Sequence, residues 1–200
     1  QNSAYIGGIA GKLYSSTIDG TAYIVYTENC YADIEVTIMD DSALETAAVG
    51  GLFGYISSYS GAVSIINSRT DGEVYGGQFT GGIAGSTSYY TSIINCISGA
   101  NVTGTSEEVS YAGGIVGSMS GDGIVMDSLS TGNVKAPQSD PNSMYVSYAG
   151  GIAGYANPDD YEYYFTMGAA VTNSYYSGSV SALGGNKSSL GIKMSSAFVT

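Results

Sequence analysis

The chain has no histidine and no tryptophan, and only five of its 200 residues are Lys or Arg. Without histidine there is no Ser-His-Asp triad, no Cys-His pair and no His-ligated zinc. Arg69 and four lysines cannot build the clustered positive surface that phosphate recognition needs, so nucleic acid is excluded as a partner. Against them stand 17 Asp and Glu, for a formal charge of −12. That balance favours solubility and repels anionic partners, anionic membranes included. Charged residues are 11% of the chain, well under the usual quarter or so. With 44% hydrophobic residues, the sequence is nonetheless too apolar for a disordered segment. No run approaches the roughly 20 apolar residues of a membrane helix, so membrane insertion is not expected. Two cysteines can form one disulfide or none and say little about redox compartment. No signal peptide is visible, and Gln1 reads as a trimmed or internal start. The chain is therefore expected to be part of a longer one.

What is present points to strand. Ile and Val total 31 against 6 Leu, and there are 19 Tyr. β-branched and aromatic side chains suit a pleated surface, whereas Leu and Ala lead in helices. Thirty glycines against three prolines imply turns built from glycine.

An internal repeat organises the sequence. The pentapeptide G-G-I-A-G stands at Gly7, with G-G-L-F-G at Gly50, G-G-I-A-G at Gly81, G-G-I-V-G at Gly113 and G-G-I-A-G at Gly150. Two residues before each comes Tyr5, Ala48, Phe79, Tyr111 or Tyr148. Between the pentapeptides runs a second block, clearest as Asn67-Ser68…Gly72-Glu73-Val74. Its equivalents begin at Asn29, Asn95, Asp127 and Asn173, each with a Val seven positions on.

A unit of about 31 residues with strand composition cannot bury its own apolar face and must stack on its neighbours. The expected fold is all-β: a right-handed parallel β-helix of about five coils in one domain over 1–200, with repeats beginning near 5, 48, 79, 111 and 148. Handedness follows from the usual chirality of crossover connections. Equivalent residues then sit about 4.8 Å apart, with one interior column of Ile9, Leu52, Ile83, Ile115 and Ile152 and another of Val36, Val74, Val102, Val134 and Val180. Propeller blades are longer and more regular, leucine-rich repeats need Leu columns, and calcium-binding nonapeptides need an Asp that is missing here. Extra residues at 12–27, 37–47, 135–147 and 155–168 are expected to bulge out as loops. Residues 183–200 depart from the repeat and are expected to cap the last coil.

The two blocks together resemble the GLUG motif, carried most clearly by Gly150-Gly151-Ile152-Ala153-Gly154 and by Val171-Thr172-Asn173-Ser174-Tyr175-Tyr176-Ser177-Gly178-Ser179-Val180. The resemblance spans about residues 5–182. It implies a secreted or surface-anchored bacterial protein, either adhesin-like or a non-catalytic part of an IgA-cleaving metallopeptidase. It brings no shared catalytic residues, and the H-E-x-x-H of such a peptidase cannot exist in a chain without histidine.

The glycines are expected to serve turns and close packing, and the column Asn29, Asn67, Asn95, Asp127 and Asn173 to form a ladder that satisfies buried amides. The acid pairs Asp40-Asp41, Glu107-Glu108 and Asp159-Asp160 suggest glycoside chemistry. Neighbours in a strand face opposite ways, however, and seldom form a dyad. The favoured reading is therefore non-enzymatic, an adhesin-like spacer or ligand-binding rod. A carbohydrate-processing β-helix using loop carboxylates is the alternative. The candidate ligand site is the tyrosine-rich, acidic stretch Tyr155, Asp159, Asp160, Tyr161, Glu162, Tyr163 and Tyr164, with Tyr145 from the preceding insertion. A host glycan or protein is the expected partner. No cofactor is expected unless loop carboxylates hold a calcium ion. A monomer at the bacterial cell surface or outside the cell is expected.

Overall fold

A computed structural model describes residues 3–38, 46–105, 109–137, 147–157, 168–183 and 193–194. Strands supply the regular structure, and no helix occurs among the described residues. Each repeat sends strand into four sheets in turn. In the third repeat Phe79–Gly81 enters the first sheet and Ala84–Ser88 the second. Thr91–Ile94 then enters the third, and Ile97–Ser98 with Asn101–Thr103 the fourth. The fourth repeat restarts at Tyr111–Gly113, parallel to Phe79–Gly81 and beside it. The antiparallel hairpin Thr17–Ile18 with Thr21–Ala22 stands outside these sheets.

The register matches the sequence blocks residue for residue. Tyr5, Ala48, Phe79, Tyr111 and Tyr148 are successive partners in the first sheet. Val36, Val74, Val102, Val134 and Val180 are successive partners in the fourth. Ile9, Leu52, Ile83 and Ile115 each donate the backbone amide to the carbonyl of the next member of their column, at 2.8–3.0 Å. Leu52, Ile83 and Ile115 are fully buried and Ile152 nearly so. Ile9 departs from the expectation, being 48% exposed. Its repeat forms the edge of all four sheets, so the column continues on one side of it only.

The expected loop positions need correction. Ala10–Ser15 and Ile24–Glu28 both pair with the second repeat, which leaves the hairpin between them as the insertion in 12–27. Thr46 and Ala47, 134–137 and 153–157 likewise belong to strands. Apolar alternation runs through these stretches, so block spacing alone could count the extra residues but not place them. Lys193–Met194 pairs with Tyr155 and Ala156 as a sixth strand of the second sheet. The remainder of 183–200, apart from Leu183, lies outside the described residues.

The G-G-x-x-G pattern has a steric cause. A Cβ on Gly50, Gly81, Gly113 or Gly150 would lie 1.9–2.0 Å from the carbonyl oxygen three residues later. On Gly82 or Gly114 it would meet Ser98 Oγ at 2.0 Å or Ser130 Oγ at 2.2 Å. On Gly117 it would meet Thr80 N and Gly85 O at 2.5 Å. At this bend the first and second sheets touch backbone to backbone, and side chains from the fourth sheet fill the remaining space. Closeness, rather than unusual dihedral angles, excludes a side chain here. Ala substitution should separate two glycines six residues apart. Gly117→Ala should cost several kcal/mol or prevent folding, since overpacking against backbone exceeds the usual ~1–3 kcal/mol. Gly123→Ala, whose Cβ would find its nearest atom at 3.4 Å, should change stability by under about 1 kcal/mol. Urea unfolding of both variants checks this.

Candidate functional site

The Asn/Asp column marks the turn between the third and fourth sheets. Asn29, Asn67, Asn95, Asp127 and Asn173 all have φ between 49 and 55°, a left-handed conformation these residues tolerate better than most. Their side chains are exposed, which corrects the expectation that they satisfy buried amides. Asn95 Nδ2 donates to Asn67 Oδ1 at 2.6 Å, a bond on the outside of the stack. The buried role passes to the next residue of the block. Ser68 Oγ accepts from Cys30 N, Ser128 Oγ from Cys96 N and Ser174 Oγ from Ser128 N, at 3.1–3.2 Å. Each of these hydroxyls donates to the carbonyl two residues earlier, at 2.8–2.9 Å. The left-handed turn points Asn outward and the small polar side chain after it inward.

Both cysteines are free. They occupy this column in the first and third repeats, with Ser68 between them. Cys96 is buried, and burial pushes its thiol up to about 11. Cys30 is only partly buried, because its repeat is the sheet edge.

Of the expected ligand residues, Tyr155 alone is described, and it is a strand residue of Ala153–Asn157 rather than a loop residue. Its ring lies 4.9 Å from Tyr111 and 6.2 Å from Tyr148. Phe79, Tyr111 and Tyr148 stack in turn at 5.4 and 5.3 Å. Burial first, then the neighbouring phenols Tyr155 and Tyr148, raises the Tyr111 phenol above its usual value. Tyr155 is thus part of an aromatic wall between the first and second sheets. Asp159, Asp160, Tyr161, Glu162, Tyr163, Tyr164 and Tyr145 lie outside the described residues, as do all three acid pairs. Among the described residues no three His, Cys, Asp or Glu side chains converge to hold a metal.

The fourth sheet carries Asp33, Glu35, Arg69, Asp71, Glu73 and Lys135, half of the described charged residues. Arg69 donates to both carboxylate oxygens of Asp71, at 2.7 and 3.0 Å, and holds that carboxyl below the usual range. Beside this pair Asn101 bonds Glu73, Asn133 bonds Asn101, and Ser179 bonds Asn133. The sheet's one Arg is thereby neutralised by its neighbour.

One surface went unnoticed in the sequence. At the corner between the second and third sheets Tyr14, Tyr59 and Tyr89 form a continuous edge across three repeats. Ring centroids are 6.0 Å apart for Tyr14–Tyr59 and 5.6 Å for Tyr59–Tyr89. Tyr59 is 68% exposed and Tyr14 46%. These tyrosines sit at different offsets from the G-G-x-x-G block, so no column was visible until the turns were placed.

Together these features define a class: an all-β chain of stacked parallel repeats whose recurring residues serve the stack. No family model matches the chain, and no curated protein matches it. Among solved structures it is similar to a Bacteroides ovatus protein named as a putative immunoglobulin A1 protease. The TM-score is 0.56 at 22% identity, over 84% of this chain and 49% of that one. This chain therefore corresponds to about half of that protein, and the likeness is one of fold.

The thiol column yields a pH test. The unfolded Cys96 thiol ionises near 9.0 and the folded one near 11. A raised folded value means that the stability gained by keeping the thiol neutral is complete below pH 9 and is lost as pH rises toward 11. Unfolding free energy should fall more steeply over that window in wild type than in Cys96→Ser, which carries the residue found in the neighbouring repeats. Parallel curves would show that the thiol ionises freely in the fold.

Proposed function

We propose that this chain is a GLUG-type right-handed parallel β-helix, forming a non-enzymatic module of a secreted or surface-exposed bacterial protein. It acts as an adhesin-like spacer or ligand-binding rod, as a monomer, with a host glycan or protein as partner. The observation that carries this reading is that the repeated residues are consumed by stacking. Glycines make room for backbone, Ser and Cys bond the neighbouring repeats, and Val and Ile fill the core. Chemistry is left to the turns and insertions, where binding residues commonly sit on rigid scaffolds. The likeness to half of a larger bacterial protein supports a modular role beside other domains. Any proteolysis by a full-length protein would belong to those other domains, since this chain has no histidine for a metallopeptidase centre.

The test takes the chain alone. It should cleave neither immunoglobulin A nor a panel of plant and host polysaccharides, with or without added calcium. It should bind at least one immobilised host glycan or matrix protein. Turnover of any of these substrates would contradict the non-enzymatic reading, and silence on every surface would reduce the role to spacer.

A further inference from the structure

We infer that the outer face of the third sheet is a protein-docking strip. Its partner is a single extended segment with aliphatic side chains toward the sheet and basic side chains at its flanks. The inference rests on the ligand-binding reading above and narrows the partner to a protein.

The first observation is a break in alternation. A sheet with one face on the core is normally apolar inward and polar outward. In the third sheet Val63, Ile65, Ile93, Val125 and Val171 face the core. The residues between them point away from it and are only partly buried. In register they form two columns. One is Tyr26, Ser64, Ser92, Ile124 and Ala170, and the other is Glu28, Ile66, Ile94, Met126 and Thr172. From the second repeat to the fifth neither column holds a charge. The fourth sheet stacks in the same way, yet it turns Asp33, Glu35, Arg69, Asp71 and Glu73 outward. Stacking alone therefore does not call for Ile66, Ile94 and Met126 on an outer face. Cross-strand pairs such as Ile66 with Ile94 add about 0.2–1 kcal/mol each to a sheet, and they leave apolar surface in water.

The second observation is charge. The strip is neutral on a chain of charge −12. Glu28 closes its first-repeat end, and Asp127 follows Met126 on the exposed turn at its side. An apolar centre inside a polar rim is the anatomy of a binding face. The rim and the net charge draw in Lys and Arg and repel acidic partners. Ile66, Ile94, Ile124 and Met126 offer a sugar neither a ring face nor a hydrogen bond, which favours protein over glycan.

The third observation is size. Five strands contribute about three residues each to the face, a flat footprint of about 19 by 10 Å. A stable protein pair buries roughly 800 Å² on each partner. Two copies meeting here would fall well short of that and would bring two acidic chains together. One extended segment fits, because alternation places all its aliphatic side chains on one side.

The experiment uses the intact chain and three capped eight-residue peptides of alternating Ile and Lys, Ile and Glu, or Ser and Lys, kept below their aggregation concentrations. Binding is read by calorimetry and the size of the protein by sedimentation. Wild type should bind the Ile–Lys peptide, bind Ser–Lys at least tenfold more weakly, and leave Ile–Glu free. Ile94→Asp should weaken Ile–Lys binding at least tenfold, although an added carboxylate would strengthen a purely ionic contact. The double variant Ile66→Thr, Ile94→Thr should do the same with a Tm within about 4 °C of wild type, since Thr172 already occupies that column. Asp127→Asn, the residue of the other repeats, should weaken binding two- to fivefold. Tyr75→Ala, on the fourth sheet, should bind as wild type does. Equal binding of Ser–Lys and Ile–Lys, undiminished in Ile94→Asp, would reduce the contact to charge and overturn the strip. No peptide binding by wild type, with a sharp fall in Tm in both isoleucine variants, would show the face to be covered by the chain's own segments and would overturn it too. A dimer abolished by Ile94→Asp would assign the face to a second copy instead. A glycan or matrix protein bound equally by wild type and both isoleucine variants, with Ile–Lys unbound, would overturn the strip and leave the ligand-binding reading standing. No binding to any peptide, glycan or matrix protein would overturn both.

Discussion

The backbone hydrogen bond from one repeat to the next governs everything else in this molecule. Each repeat lends its amides and carbonyls to neighbours in four sheets, so equivalent residues are brought to a strand spacing of about 4.8 Å. A residue type that fits one level must then fit all of them. That explains why Leu52, Ile83 and Ile115 recur as fully buried apolar residues and Val74, Val102 and Val134 as another such set. Stability in such a stack is a sum of repeat and interface contributions. Each fully buried Val or Ile adds about 1.5–3 kcal/mol of transfer free energy before entropy is charged against it.

The same constraint sets how much could be read from the sequence. The columns were legible because they repeat: the block register predicted from Tyr5 to Tyr148 and from Val36 to Val180 is the register observed. The glycine roles were legible for the same reason. What was misread lay inside the repeat. The Asn block does bond along the stack from Asn95 to Asn67, but its left-handed turn exposes the first residue and turns the second inward, so the second is the one that satisfies buried amides. The insertions could be counted but not placed, since Ala10–Ser15 and Ile24–Glu28 alternate like any other strand. Ile9 was assigned burial from its column, and it is exposed by standing at the sheet edge.

The candidate site was less legible than the fold. Tyrosine enrichment drew attention to residues 155–164, and the first of these proved to be part of an aromatic wall against Tyr111. The Tyr14–Tyr59–Tyr89 edge carries no sequence pattern, because its rings come from turns of unequal length. It becomes visible only once the turns bring the rings together, at centroid distances of 6.0 and 5.6 Å.

The register of the stack can be tested with its own thiols. Cys30, Ser68 and Cys96 occupy successive levels of one column. Neighbouring levels are about 4.8 Å apart and alternate levels about 9.6 Å, against a disulfide limit of roughly 7 Å between Cα atoms. Mild oxidation of Ser68→Cys, followed by peptide mapping, should therefore link position 68 to Cys30 or Cys96, while wild type stays reduced. A Cys30–Cys96 disulfide in the folded wild-type chain would contradict the stacked register on which the whole account depends.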